Sequence, residues 1–189
     1  MKREISLVTK RVCIGTLMGM LALLPAGGAL ADEPSESGAL DAAAVFEQLK
    51  GFEGTWKGEA KGEGSDESAE TPGAVHEFRV ASAGTVVMET MNQGTPHEMI
   101  NMYHLDGEDL RLTHYCAGNN QPHMKLDREA SHAGKLIFAY VGGTNLDPAV
   151  DSHIHGVEIT IEDSDHILSS WHGYDKGKHV GTMNFKLAR

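Results

Sequence analysis

The sequence predicts an all-β protein: an antiparallel, up-and-down barrel behind one short helix. Three observations lead there. From residue 54 onward the chain runs as about nine short stretches that alternate in polarity, broken by turn residues at hairpin spacing. No helical segment intervenes to build a βαβ unit. And Asp106-Gly107, flanked on both sides by alternating residues, is a strong short-range signal for a β-hairpin.

Residues 1–31 read as an export signal rather than as part of the fold. Lys2, Arg3, Lys10 and Arg11 form a basic start, and Val12 to Leu24 is an apolar run too short to span a bilayer. Pro25 and Gly27 break it, and Ala29-Leu30-Ala31 is a small-residue cleavage site, so the mature chain is predicted to begin at Asp32 in the periplasm or outside the cell. Cys13 lies inside the apolar run after Lys10-Arg11-Val12, which is no lipidation context. Residues 32–40 read as a flexible leader, and residues 41–189 as one barrel domain.

Within that domain, Asp41 to Lys50 is predicted to be helical. Ala44, Val45 and Leu49 share an apolar stripe, and Gly51 stands as the stop. Gly54 to Ala60 is a first strand, with Trp56, Gly58 and Ala60 on one side. Gly62 to Gly73, acidic and rich in Gly and Ser, reads as a loop. His76, Phe78 and Val80 then alternate with Glu77 and Arg79, and a turn at Ala83-Gly84 leads into Thr85 to Met91. After the central hairpin and a loop at Ala117 to Pro122 come Met124 to Arg128 and Lys135 to Val141. His153 to Ile161, Ile167 to Tyr174 and Val180 to Leu187 complete the strands.

Charge narrows the range of partners. The chain has 16 basic and 27 acidic residues; residues 1–31 hold four of the former and one of the latter (Glu4), leaving 12 and 26, a net charge of −14. Such a surface repels nucleic acid and anionic lipid, which excludes nucleic-acid binding and membrane insertion of the mature chain. Cys116 is the one cysteine after residue 31, so no internal disulfide forms. In an oxidising compartment a lone thiol is buried, metal-bound or paired between chains, and the last case leaves a homodimer open.

A short helix followed by Gly54-Thr55-Trp56-x-Gly58 and a meander of strands resembles the calycin superfamily of lipocalins, fatty-acid-binding proteins and haem-binding nitrobindin-like barrels. Met102-Tyr103-His104-Leu105-Asp106-Gly107, Leu112-Thr113-His114-Tyr115-Cys116 and Asn119-Asn120-Gln121-Pro122 resemble a group of uncharacterised bacterial proteins with a lipocalin-like barrel, related to the DUF1579-type families. The resemblance covers most of the chain after residue 31. It implies a ligand-holding β-barrel and brings no settled activity.

Period-two alternation selects the candidate site. Leu110, Leu112, His114 and Cys116 share one strand face, and the leucines turn that face inward. His153 and His155 share the face of Val157, Ile159 and Ile161, so they too are predicted to point inward. Three imidazoles and a thiol at one place suit a soft metal such as Zn or Cu, or an axial ligand to haem; the alternative is barrel-lining histidines that share no ligand. No compact metal motif fixes the geometry. Asn119, Asn120 and Gln121 follow directly, where loop amides at a barrel mouth complete a ligand pocket or simply make a turn. His97-Glu98 lacks the second histidine of a zincin, because Asn101 occupies that position.

From these residues the leading expectation is an exported barrel that holds a small, largely apolar molecule near His114, Cys116, His153 and His155. A haem or metal carrier is the alternative, and so is an isomerase- or cyclase-like barrel enzyme. In that case Cys116 would draw a base from another strand, because side chains two apart on one strand stand roughly 6–7 Å from each other.

Overall fold

A computed structural model of the protein describes residues 39–64 and 71–189. The export signal and most of the leader, and residues 65–70 of the acidic loop, lie outside the described residues. One helix, α1 (Ala42–Lys50), precedes ten strands. In chain order these are β1 (Gly54–Gly64), β2 (Thr71–Ala81), β3 (Val86–Met91), β4 (Met99–Asp106) and β5 (Asp109–Tyr115), followed by β6 (Gln121–Leu126), β7 (Lys135–Thr144), β8 (His153–Ile161), β9 (His166–Asp175) and β10 (Lys178–Ala188). Each strand pairs antiparallel with its neighbours in sequence, and β10 closes on β1, so the sheet is a closed up-and-down barrel. Closure leaves no unpaired sheet edge.

The short helix forms where the sequence places it. The Asp41 side chain accepts a hydrogen bond from the Ala43 N–H at 3.1 Å and caps the start. Val45, Phe46 and Leu49 form its buried stripe, against β4 and β5. Leu40, at the end of the expected flexible leader, is pinned: its N–H donates to the Arg128 carbonyl and its carbonyl accepts from the Arg128 guanidinium. Trp56 is fully buried beside the helix and donates its indole N–H to the Phe52 carbonyl at 2.7 Å. Phe52, Trp56 and Phe78 pack edge to face, closing this base of the barrel.

Alternation of direction fixes what lies at the other end. The turns after β2, β4, β6 and β8 stand at the helix base, and the segments 92–98, 116–120, 145–152 and 176–177 gather at the opposite rim. The inner face is apolar near the base, with Leu110, Leu112, Met124, Leu136 and Phe138 almost wholly buried. On β10 that face runs from Phe185, 4% exposed, to Met183, 37% exposed. The two are in unbroken register with Ala60 and Gly62 of β1, so both side chains belong to the inner wall. The barrel is therefore filled at the level of Phe185 and open to solvent at the level of Met183.

Candidate functional site

Beneath that opening the inner wall turns polar. Glu89 of β3 stands opposite Asn101 of β4, and Asn101 stands opposite His114 of β5, so the register sets three polar side chains in one row. His76 joins from β2. The Glu89 carboxylate is 2% exposed and receives three donors: His76 Nδ1 at 2.7 Å on Oε1, and Asn101 Nδ2 at 2.9 Å and the Tyr103 hydroxyl at 2.8 Å on Oε2. Asn101 Oδ1 then faces His114 Nδ1 at 2.7 Å.

The protonation pattern follows by elimination. A carboxylate oxygen accepts, so Asn101 turns its amide N–H₂ to Glu89 and its oxygen to His114. That oxygen only accepts, so His114 carries its proton on Nδ1. Burial pushes the His114 imidazole down to about 4, against the opposing pull of the Glu89 charge, and the ring is neutral near pH 7. Burial, followed by the charge of Glu89 and the hydrogen bond to it, holds the Tyr103 phenol well above its usual range, so it stays a donor. Both imidazoles spend Nδ1–H on the row. Their Nε2 atoms are buried and have no hydrogen-bond partner among the described residues. An orphaned buried polar atom costs about 1–3 kcal/mol, which marks both positions as more than packing.

Each of the two imidazole rings lies beside an aromatic residue of the inner wall. Met183 pairs with Trp171 across β9 and β10, and Trp171 lies against His114 with ring centres 5.1 Å apart. Phe185, the next inward residue along β10, lies 4.7 Å from His76.

Of the residues singled out by alternation, His114 is where it was expected, inward and fully buried. Cys116 is not. β5 ends at Tyr115, and Cys116 opens a tight turn in which its N–H bonds the Asn120 carbonyl and its carbonyl accepts from the Asn119 N–H. The thiol is half-buried, and its sulfur accepts the Gly118 N–H at 3.3 Å. The turn claims the residue because Asn119 supplies a left-handed conformation, φ +67°.

His153 and His155 form a second group at the rim. A bulge between Ile154 and Gly156 leaves His155 without a partner on β9, and Ile154 packs on the apolar core. His153 donates from Nδ1 to the Asp151 carbonyl at 2.9 Å, so its Nε2 accepts from His155 Nδ1, also at 2.9 Å. The His155 ring stacks between Tyr140 and Tyr174, with centres 4.5 and 4.1 Å away. Burial, then the neighbouring His153, lowers the His155 pKa.

Among the described residues, no three His, Cys, Asp or Glu side chains are placed to hold a metal ion. The set His114, Cys116, His153 and His155 therefore does not fit Zn or Cu: His114 serves the Glu89 row, Cys116 serves a turn, and both His153 nitrogens are engaged. The His114 Nε2 is buried and unpartnered among the described residues, and its ring lies beside Trp171.

The amides mostly tie rim segments together. Asn119 accepts from Asn145 through its carbonyl, Asn120 donates to the Ser152 carbonyl at 2.9 Å, and Gln121 accepts from Thr144 at 2.9 Å. Asn120 Oδ1 is buried and unpartnered among the described residues.

Reading strand faces for histidine and cysteine passed over His76, Glu89, Asn101 and Tyr103. Their signal was present: a carboxylate between Val87 and Met91 on one strand face, and an amide sharing a face with Tyr103.

No family model matches the chain, and no curated protein matches it. A solved structure of a DUF3598-family protein of unknown function from Nostoc punctiforme is similar over 75% of this chain and 49% of that one, with 12% sequence identity and a TM-score of 0.43. The chain thus spans about half the length of that protein.

Proposed function

We propose that this protein is an exported, calycin-like barrel that binds a small, largely apolar molecule through the rim opposite α1. The observation that carries the reading is the inner wall of β10, dry at Phe185 and solvent-exposed at Met183. An apolar, inward-facing opening over a floor of convergent polar groups is the usual make-up of a small-molecule site. Export, inferred from residues 1–31, places the binding in the periplasm or outside the cell.

A second reading is favoured by one observation. Glu89 holds His76 by Nδ1, as a carboxylate orients an imidazole base, and leaves its Nε2 bare. A catalytic barrel would use that nitrogen on a bound metabolite.

Native mass spectrometry of protein purified from its own host, followed by solvent extraction, tests the leading reading. A stoichiometric small hydrophobe is the expected result. An empty protein that also binds no added hydrophobe would overturn it. Conversion of a bound metabolite that disappears in His76→Asn would favour the enzyme.

A further inference from the structure

We propose that His153 and His155 form an acid-released latch on the rim. Their mutual hydrogen bond stands while the pair carries at most one positive charge. It breaks when both rings are protonated, and the adjoining segment 145–152 then loosens. The latch works in the same way whatever the barrel binds.

The limit comes from the protons on four ring nitrogens. His153 Nδ1 faces the Asp151 carbonyl at 2.9 Å; that oxygen only accepts, so this nitrogen keeps its proton. His153 Nε2 and His155 Nδ1 stand 2.9 Å apart, where one proton makes a bond and two make a clash. His155 Nε2 can take one more, so the closed pair holds a single charge at most. A second charge would set two N–H groups face to face, on rings with centres 5.2 Å apart. Tyr140 of β7 and Tyr174 of β9 stack on the two faces of His155, and a third imidazole, His179 of β10, stands 5.5 Å from Tyr174. The carboxylates nearby are engaged elsewhere. Asp147 accepts from the Ala149 N–H, Asp151 from the Asp147 N–H, and Asp175 takes the Ser152 hydroxyl and lies 3.7 Å from Lys176. Among the described residues, none of them hydrogen-bonds either imidazole. His153 directly follows Ser152, whose hydroxyl and carbonyl tie the segment to Asp175 and Asn120, so a break at His153 is felt there. Only the open form takes the second proton freely. Falling pH therefore drives opening, by up to about ten-fold per pH unit.

Amide hydrogen exchange of the segment 145–152 at pH 7 and pH 4.5, corrected for intrinsic rates and read against strand β4, tests the latch. Protection of the segment should fall about ten-fold or more in acid while β4 stays protected. In His155→Asn the amide offers its N–H₂ to a neutral His153 Nε2 and, turned over, its oxygen to a protonated one. The bond then survives at both pH values, and the acid effect should disappear. His155→Phe keeps a ring between the two tyrosines but has no bond to lose, so the segment should be equally loose at both. Loosening that came from the carboxylates of the segment would persist in both variants. Unchanged protection of the wild-type segment, a loss shared equally by β4, or an acid effect that survives in either variant would overturn the proposal.

Discussion

His114 shows how one buried row reaches into solution behaviour. Its pKa falls from 6.5 to about 4 on folding, so the unfolded chain takes up a proton first as the pH drops. Stability tied to this group is therefore complete above about pH 6.5 and is lost as the pH falls through the folded value near 4; the full difference is about 3 kcal/mol. Urea unfolding at pH 7 and pH 4.5 should show the loss, and His114→Asn should flatten it. A variant with the same pH slope as wild type would mean another group is responsible. Glu89 makes the complementary case. Replacing it by Leu strands three buried donors at once and should cost about 3–5 kcal/mol. A loss below about 1 kcal/mol in the same unfolding assay would show that the row contributes little to stability.

Strand pairing sets two sharper tests at the level of elements. A Cβ on Gly58 would stand 1.8 Å from the Lys186 carbonyl oxygen, on the partner strand that closes the barrel. Gly58→Ala would push β1 from β10 and should destabilise by about 2 kcal/mol or more, whereas Gly62→Ala meets only the Met183 methyl at 3.6 Å and should be nearly neutral. Equal melting temperatures for the two variants would contradict the close approach. The turn after β5 makes a different prediction. Because Cys116 is half-buried in that turn and not shielded on the strand, a bulky thiol reagent should label it in the native protein. Complete protection until unfolding would restore the thiol to the interior.

For the molecule as a whole, closure and polarity act together. The helix and the aromatic base close one end, and the opposite rim is held by links such as Asn120 to Ser152 and Ser152 to Asp175. At that rim Met183 is an exposed apolar residue of the inner wall, and the rim segments are joined to one another. Export remains a proposal at this scale: mass spectrometry of the secreted protein should find a chain starting at Asp32, and an intact Met1 would count against it.

The fold class was legible before any coordinates, because the pleat imposes a period of two and turns impose their own residues. Asp106-Gly107 forms the hairpin expected of it, α1 starts at its cap, and Leu110, Leu112 and His114 face inward as their spacing requires. The site was only partly legible. Alternation says which face a side chain takes and nothing of which strands lie side by side, so it could place His114 inward but could not find Asn101 and Glu89 beside it. It also assumes an unbroken strand. The turn at Cys116 and the bulge at His155 each break the period within one or two residues, and no single-residue pattern marks where that happens. Local sequence determined the strands and their faces. Tertiary register decided the neighbours, because the contacts that join Glu89, Asn101 and His114 exist only once β3, β4 and β5 have paired.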